Sequence, residues 1–136
     1  TLSLHDALPI SSNDPLVHAF VAETLNPRGE SLIVGTAGLH LHGNPRMRHS
    51  GGVGIMIHRD FQGQGIGRVL MQTLIDMADN WLMLERVELS VFVDNTRAIE
   101  LYKSLGFEME GTKRKAVIRS GIYTDEYIMS RLRTDK

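Results

Sequence analysis

The most distinctive chemistry in the sequence lies in a glycine-rich loop that precedes a long helical pattern. The loop consists of Gln62, Gly63, Gln64, Gly65, Ile66 and Gly67. The first N–H groups of a helix have no intrahelical partner, and the helix dipole places about half a positive charge there. Glycines allow a phosphate to approach that backbone without obstruction by a Cβ atom. The loop is therefore predicted to bind a phosphate group at a helix N-terminus.

Two other phosphate-binding motifs describe this loop less well. The dinucleotide fingerprint G-x-G-x-x-G, counted from Gly63, requires a third glycine at the position of Arg68. A P-loop requires Gly-Lys-Ser or Gly-Lys-Thr, which the segment lacks. A glycine loop that binds no ligand remains an alternative on these residues alone.

A second segment combines a helix start with a tyrosine. Asn95 follows a strand pattern and can accept a hydrogen bond as a helix cap. Ala98, Tyr102 and Leu105 then recur on one face of a short helix, and Gly106 is suited to its C-terminal end. By residue type alone, Asn95 is a cap and Tyr102 is a core aromatic.

The elements that must position these residues follow from hydrophobic periodicity. A long helix after the loop is predicted from Ile66, Leu70, Leu74, Met77 and Trp81, which recur at helical spacing. Strands are predicted near 16–23, 31–42, 51–58, 86–93, 107–118 and 122–132. The order is β-β-β-α-β-α-β-β. It predicts an α/β (mixed α+β) fold: a mainly antiparallel sheet with one parallel β-α-β crossover.

Composition excludes several classes of protein. The chain has 136 residues, a net charge of −1 and no cysteine. Disulfides, thiolate catalysis and cysteine-bound zinc are therefore excluded. A near-zero charge argues against general binding of nucleic acid or a membrane surface, and no apolar run approaches the ~20 residues that span a bilayer. Seven of the thirteen glycines fall between positions 43 and 67, where the backbone must be free to bend or to be approached closely.

The two motifs together resemble the GNAT acyltransferases. Gln62-x-x-Gly65-x-Gly67 fits the family's Q/R-x-x-G-x-G/A signature, and Asn95-x-x-Ala98-x-x-x-Tyr102-x-x-x-Gly106-Phe107 fits its second signature. The run 79–115 is similar to the YhhY branch of bacterial GNATs, which are small amine or amino-acid N-acetyltransferases. The resemblance covers about residues 16–132. It implies acetyl transfer from acetyl-coenzyme A to a primary amine of a small molecule or amino acid, directly within a ternary complex.

The resemblance also implies roles for individual residues. In the family, the loop and helix N-terminus bind the coenzyme pyrophosphate, and the preceding strand contacts pantetheine and the acetyl carbonyl. Tyr102 matches the tyrosine that protonates the coenzyme A thiolate in many members. The cofactor contacts implied are Met56, Ile57, His58, Gln62, Gly63, Gln64, Gly65, Ile66, Gly67, Arg68 and Asn95.

The general base is the point where this sequence departs from the family. Some members carry a Glu five residues before the motif Asn, a position that Ser90 occupies. Others carry an acidic residue on the strand before the loop, where this chain has glycines and His58. A water chain ending at His40, Glu88 or His58 remains open, and no base is assigned.

Two further clusters have ordinary explanations. His40 and His42 share a strand face, but no carboxylate stands beside them, so no metal site is predicted. The basic residues Lys113, Arg114, Lys115 and Arg119 are predicted to form a solvated face, with the coenzyme's ribose phosphate as a second option.

The first ten residues are predicted not to belong to the natural protein. Residues 1–10 read TLSLHDALPI, which is the translation of the sequencing-adapter DNA ACT CTT TCC CTA CAC GAC GCT CTT CCG ATC. Residues 11–136 then form one GNAT domain. Family members begin with a strand and two helices, which need about 35–40 residues. We therefore expect an N-terminally truncated chain whose coenzyme half is present and whose acceptor half is incomplete.

The remaining expectations concern function as a whole. The partner is a small-molecule amine, neither nucleic acid nor membrane, and a homodimer is compatible with the resemblance. The expected location is cytoplasmic. A non-catalytic acyl-coenzyme A binding domain is the alternative function, favoured by the lack of an obvious base. A dinucleotide-binding β-α-β unit is disfavoured by Arg68 and by the antiparallel flanking strands.

Overall fold

A computed structural model of the chain describes residues 8–10 and 14–133. Seven strands form one sheet: β1 (Leu8–Ile10), β2 (Val17–Leu25), β3 (Ser31–Leu41), β4 (Ser50–Ile57), β5 (Arg86–Phe92), β6 (Glu108–Arg119) and β7 (Ile122–Leu132). The α-helices are α1 (Ile66–Asp76) and α2 (Thr96–Ser104), and 3-10 turns span Pro45–Met47 and Arg59–Phe61. Neither helix, nor any other within these residues, is long and apolar enough to cross a bilayer.

The strands follow the order β1-β2-β3-β4-β5-β7-β6 across the sheet. Every neighbouring pair is antiparallel except β4 and β5, which are parallel and joined through α1. The predicted order of strands and helices and the single parallel crossover are confirmed.

Strand β1 is an addition to the predicted order. It lies within the segment predicted to be adapter-derived, and its three residues pair antiparallel with β2, Leu8 opposite Val21. An open strand edge can pair with any extended backbone, whatever its side chains, and β2 offers such an edge. The adapter origin itself stays a prediction, and residues 1–7 lie outside the described part of the chain.

Both α-helices pack on the same face of the sheet. One buried cluster contains Leu70 and Leu74 of α1, Tyr102 of α2, and Val87 and Leu89 of β5. Alternate residues of each strand face this cluster, because successive side chains of a strand point to opposite faces. We call the opposite side of the sheet the open face. On it, Thr36, His40, Met56 and Ser90 are exposed.

Helix α1 continues into a π-helical turn at Met77–Trp81. The wider turn changes the angular position of each following side chain relative to an α-helix. Ala78, four residues after Leu74, is still buried, whereas Trp81 is 74% exposed, so the predicted place of Trp81 on the apolar face is wrong. Arg131 of β7 fixes this turn to the sheet through two hydrogen bonds of 2.9 Å to Asp79.

The parallel pair separates after three residues. Residues Ser50, Gly51 and Gly52 of β4 face Arg86, Val87 and Glu88 of β5, and no further pairs follow among the described residues. Beyond that point β4 stays paired with β3 as far as Ile57, while β5 stays paired with β7 as far as Phe92. The sheet is therefore split between its two halves, and the strand predicted near 51–58, with Gly51, Gly52 and Gly54, lies at the split.

Two glycines of β3 provide a matched test of this packing. A Cβ atom at Gly35 would lie 3.0 Å from the Leu70 and Ile57 side chains and 3.2 Å from the Met56 carbonyl oxygen. Gly38, three residues on, would meet nothing within 4 Å. We expect Gly35→Ala to lower the free energy of unfolding by about 1–3 kcal/mol through overpacking. Gly38→Ala should leave it unchanged or raise it by up to about 1 kcal/mol. Equal urea midpoints for the two variants would contradict this packing.

Candidate functional site

The loop that links β4 to α1 is held by short-range hydrogen bonds. The His58 Nδ1 atom accepts from the Asp60 N–H at 3.2 Å, which caps the 3-10 turn. The Gln62 side chain donates to the Ile57 carbonyl at 3.3 Å and closes the loop against the end of β4. Gly63 and Gly65 adopt φ angles of +77° and +84°. These left-handed conformations strongly favour glycine, so the loop shape itself depends on both residues.

Helix α1 begins without a side-chain cap. Gly65 occupies the capping position and has no side chain, and the first turn contains no acidic residue. The first α-helical bond runs from the Val69 N–H to the Gly65 carbonyl at 3.2 Å. The N–H groups of Ile66, Gly67 and Arg68 precede that bond and lie at the positive end of the helix dipole. Such a terminus is suited to binding an anion.

Helix α2 starts beside the same loop. The Asn95 side chain accepts from the Ala98 N–H at 3.2 Å, so the capping role predicted from its residue type is confirmed. The Arg97 guanidinium lies against the loop, 3.3 Å from the place where a Gly63 Cβ would stand. Arg68 donates to the Ser104 hydroxyl at 2.9 Å and joins the two helices. Two guanidinium groups therefore lie near the unpaired N–H groups.

A cavity of about 820 Å³ lies between the loop, the end of β4 and the two helices. We call it the helix-side cavity. It brings together most of the predicted site residues: Met56, Ile57, Gln62, Gly63, Gly65, Ile66, Gly67, Arg68, Asn95 and Tyr102. Of the predicted cofactor contacts, His58 and Gln64 are not among its lining residues, since His58 is engaged in capping the 3-10 turn.

Sequence reasoning missed several residues of this cavity, among them Phe61, Arg97, Glu100 and Ser104. For Arg97, its position in the predicted helix could have indicated a role in the site. Arg97 lies in the first turn of α2, two residues after Asn95, where a cation opposes the helix dipole. A basic residue at an unfavourable helix position can indicate an anionic ligand nearby.

Gly67 has a packing role that the sequence did not suggest. A Cβ atom there would lie 3.3 Å from the Leu101 side chain and 3.4 Å from the Ile55 side chain. The absence of a side chain at position 67 therefore lets α1 approach both α2 and β4 closely. This approach narrows the cavity around the N-terminus of α1.

Tyr102 lies at the inner wall of the helix-side cavity. Its side chain is largely buried, 7% of the residue being exposed, and its ring is tilted against Phe107 at a centroid distance of 6.0 Å. Burial raises the pKa of Tyr102 above its ordinary value of 10. The phenol is consequently protonated at neutral pH. Its hydroxyl has no hydrogen-bond partner among the residues described.

A second cavity, of about 640 Å³, lies on the open face. We call it the open-side cavity. Its lining comprises Gly38, His40, Gly52, Val53, Gly54, Glu88, Leu89, Ser90, Lys113 and Ile128. His40, Gly52, Glu88 and Ser130 form one row across four neighbouring strands. The imidazole and the carboxylate therefore flank a glycine at the point where β4 and β5 separate.

An ionic network fixes the carboxylate of this cavity. Arg86 Nη2 donates to Glu88 Oε2 at 2.8 Å and to Glu110 Oε1 at 2.6 Å. The Ser130 hydroxyl donates to Glu110 Oε2 at 2.7 Å. The bonds from Arg86 and Ser130 lower the pKa of Glu110 to about 2. Arg86 is thus shared between two carboxylates and holds Glu88 at the cavity wall.

The remaining predicted clusters are distributed as follows. His40 lines the open-side cavity, while the buried Nε2 atom of His42 has no hydrogen-bond partner among the described residues. Within the described residues, no group of three metal-binding side chains is found. Lys113 lines the open-side cavity, whereas Arg119 pairs with Asp94 and lies 4.5 Å above the Phe92 ring. Lys113, Arg114, Lys115 and Arg119 are all exposed, as predicted for a solvated face.

The two cavities are complementary in chemistry. The helix-side cavity offers unpaired N–H groups, guanidinium groups and a neutral phenol. The open-side cavity offers a carboxylate, an imidazole and an ammonium group. They lie on opposite faces of the sheet and both reach the separation of β4 and β5, since Ile55 lines one and Gly54 the other.

The chain is similar in sequence to known N-acetyltransferases. The chain is 42% identical over 101 residues to the L-amino acid N-acetyltransferase AaaT of Escherichia coli, which covers 74% of this chain and 62% of that protein. It is 34% identical over 71 residues to a spermidine N(1)-acetyltransferase of Vibrio cholerae, covering 52% of this chain and 41% of that protein. The chain thus spans less than two thirds of the length of these relatives.

A solved structure shares the fold. The Salmonella typhimurium protein yncA, a putative acetyltransferase solved with its cofactor acetyl-CoA, has a TM-score of 0.74 and 23% identity, and the match covers 85% of this chain and 64% of that one. Residues 4–107 match the model of the acetyltransferase (GNAT) family. Since this match includes the glycine loop, α1, β5 and α2, the chain belongs to the acetyltransferase (GNAT) family.

Proposed function

We propose that this chain transfers an acetyl group from acetyl-CoA to the primary amine of a small molecule or amino acid. Both substrates are bound together, and transfer is direct. The observation that carries the proposal is the separation of β4 and β5 between an anion-binding cavity and a polar cavity. The Escherichia coli relative, named an L-amino acid N-acetyltransferase, supports this acceptor class, and the sequence of residues 79–115 supports the proposed placement in the YhhY branch.

The helix-side cavity is proposed to hold the coenzyme. The pyrophosphate would accept hydrogen bonds from the N–H groups of the loop and of the first turn of α1. Arg68 and Arg97 would add positive charge, and the guanidinium fork is suited to phosphate oxygens. His58 Nδ1 caps the 3-10 turn of the loop, and His58 and Gln64 are kept among the proposed coenzyme contacts.

The unpaired edge of β4 is proposed to hold the acyl arm. Beyond Gly52 this edge has no strand partner on the β5 side, so its backbone groups need another partner. The amide groups of pantetheine can supply one. A backbone N–H aimed at the thioester carbonyl would stabilise the oxyanion that develops during transfer.

The proposed reaction consists of two proton transfers, the formation of one C–N bond and the cleavage of one C–S bond. The acceptor amine loses a proton and its nitrogen attacks the thioester carbonyl carbon, which forms the new C–N bond. The C–S bond breaks as the tetrahedral intermediate collapses. The departing thiolate takes a proton, which Tyr102 is positioned to donate as a neutral phenol. The Glu88 carboxylate and the His40 imidazole offer acceptors for the proton of the amine, directly or through water.

The direct test is titration followed by a turnover assay. We expect calorimetry to show binding of acetyl-CoA, and an assay of free thiol to show coenzyme A release with amine acceptors. Absence of binding at millimolar acetyl-CoA would contradict the proposal. Binding without thiol release across a panel of amines would favour a non-catalytic acyl-CoA binding domain.

Gly63→Ala tests the role of the loop. Alanine at φ +77° is strained by about 1–2 kcal/mol, and its Cβ would lie 3.3 Å from Arg97 Nη1. We expect at least a 10-fold loss of acetyl-CoA affinity by calorimetry. Gly29→Ala is the matched control, since Gly29 has φ +80°, lies in a distant turn and would meet nothing within 4 Å. Equal affinity losses in both variants would remove the loop from coenzyme binding.

Tyr102→Phe tests the proton donor. Removal of the phenol should lower kcat by about 100-fold, the scale typical of general acid catalysis, while acetyl-CoA affinity changes by less than about 2-fold. Tyr123→Phe is the control, because Tyr123 is 63% exposed and lines neither cavity. Unchanged turnover in Tyr102→Phe would assign this residue to packing alone.

A further inference from the structure

Three glycines form the floor of the open-side cavity without any need imposed by the fold. Gly38, Gly52 and Gly54 have no left-handed φ angle. A Cβ atom at Gly38 or Gly54 would meet nothing within 4 Å, and one at Gly52 would meet only the Glu88 carbonyl oxygen at 4.0 Å. Glycine inside a strand weakens it, because it has no side chain to pack and loses more entropy on folding. The absence of side chains at these three positions therefore leaves open the space above the sheet that forms the cavity.

The three glycines are also contiguous. Gly38 of β3 is paired with Gly54 of β4. Gly52 lies two residues before Gly54, so it is on the same face of β4. The row of Gly52 continues to His40 on one side and Glu88 on the other. The floor is therefore a bare stretch of backbone bordered by ionisable side chains.

The charges around this floor have opposite signs. Glu88 uses only its Oε2 atom in the bond to Arg86, and its Oε1 atom has no hydrogen bond among the described residues. Lys113 lines the same cavity. Its cross-strand neighbour is Glu126, yet the two form no ion pair within 4 Å in the described part of the chain. One carboxylate oxygen and one ammonium group are therefore left to face a ligand.

The surrounding network does not change this balance. Glu110 has both of its oxygens occupied by Arg86 and Ser130, and Glu126, opposite Lys113 on β7, is not among the lining residues. The charged side chains that line the cavity are therefore one negative, Glu88, and one positive, Lys113, together with the His40 imidazole. A polycation would need several carboxylates and would be repelled by Lys113.

We propose that the open-side cavity selects a zwitterionic α-amino acid, with its ammonium group at Glu88 and its carboxylate at Lys113. This inference rests on the proposed acetyl transfer and adds the feature that determines acceptor choice. The glycine floor accommodates the side chain of the amino acid. Because β4 and β5 separate directly after Glu88, the amine held there lies at the point where the acyl arm would arrive.

The test compares acceptors that differ by one carboxylate. The wild-type chain is assayed by coenzyme A release with L-leucine, with 3-methylbutylamine, which is leucine without its carboxylate, and with spermidine. We expect kcat/KM for L-leucine to exceed the values for both amines by at least 10-fold. Lys113→Ala should lower kcat/KM for L-leucine by about 10-fold or more through KM, and leave that for 3-methylbutylamine unchanged. Acetyl-CoA affinity should be unaffected.

Lys115→Ala is the matched control on the same strand. Lys115 does not line the cavity, and its Nζ lies 5.5 Å above the Tyr123 ring. Lys115→Ala should leave kcat/KM unchanged for all three acceptors.

Gly38→Val tests the glycine floor separately. It should raise the KM for L-leucine at least 5-fold, because its side chain would occupy part of the cavity. The urea midpoint should be maintained, since β-branched residues suit strands.

The outcomes separate this inference from the function on which it rests. Preference of the wild-type chain for spermidine or 3-methylbutylamine would overturn zwitterion selection and leave acetyl transfer standing. An equal effect of Lys113→Ala on L-leucine and 3-methylbutylamine would do the same. Absence of transfer to any acceptor, with acetyl-CoA bound, would overturn the transfer function and this inference with it.

Discussion

The end of pairing between β4 and β5 after Gly52 is the feature on which the rest of the structure depends. A continuous sheet would hide the backbone of both strands in a hydrogen-bond ladder and would separate its two faces completely. Here β4 stays paired with β3, and β5 stays paired with β7, so β4 and β5 diverge where the hydrogen bonds between them end. The unpaired edges need partners, and they connect two cavities of different chemistry.

The two helices make one side of that opening suitable for an anion. α1 begins directly after the loop that follows β4, and glycine at position 67 lets it pack closely on α2. The starts of both helices are thereby brought beside the same loop. Positive charge from the two helix ends and from Arg68 and Arg97 then accumulates where an anion can bind. The buried Tyr102 lies further inside, which places proton donation away from bulk solvent.

Much of this could be predicted from local sequence, because the relevant signals are local. The glycine loop, the Asn95 cap and the strand periodicities depend on neighbouring residues, and the fold confirms them. Other features depend on contacts between distant residues. The bidentate pair of Asp79 and Arg131 holds a π-helical turn that exposes Trp81, and the sharing of Arg86 between Glu88 and Glu110 joins strands far apart in sequence. No pattern of spacing encodes such contacts. Strand β1 depends on an available edge more than on its own residues, and the sequence gives no sign of it.

The central claim is that the unpaired edge of β4 and the glycine loop together hold acetyl-CoA, and amide hydrogen exchange tests it most directly. Exchange is measured residue by residue with and without saturating acetyl-CoA. The account predicts slower exchange confined mainly to residues 53–57 and 63–68, with no change in the β6–β7 hairpin. Protection in that hairpin, or unchanged exchange along residues 53–57 when acetyl-CoA is bound, would contradict it.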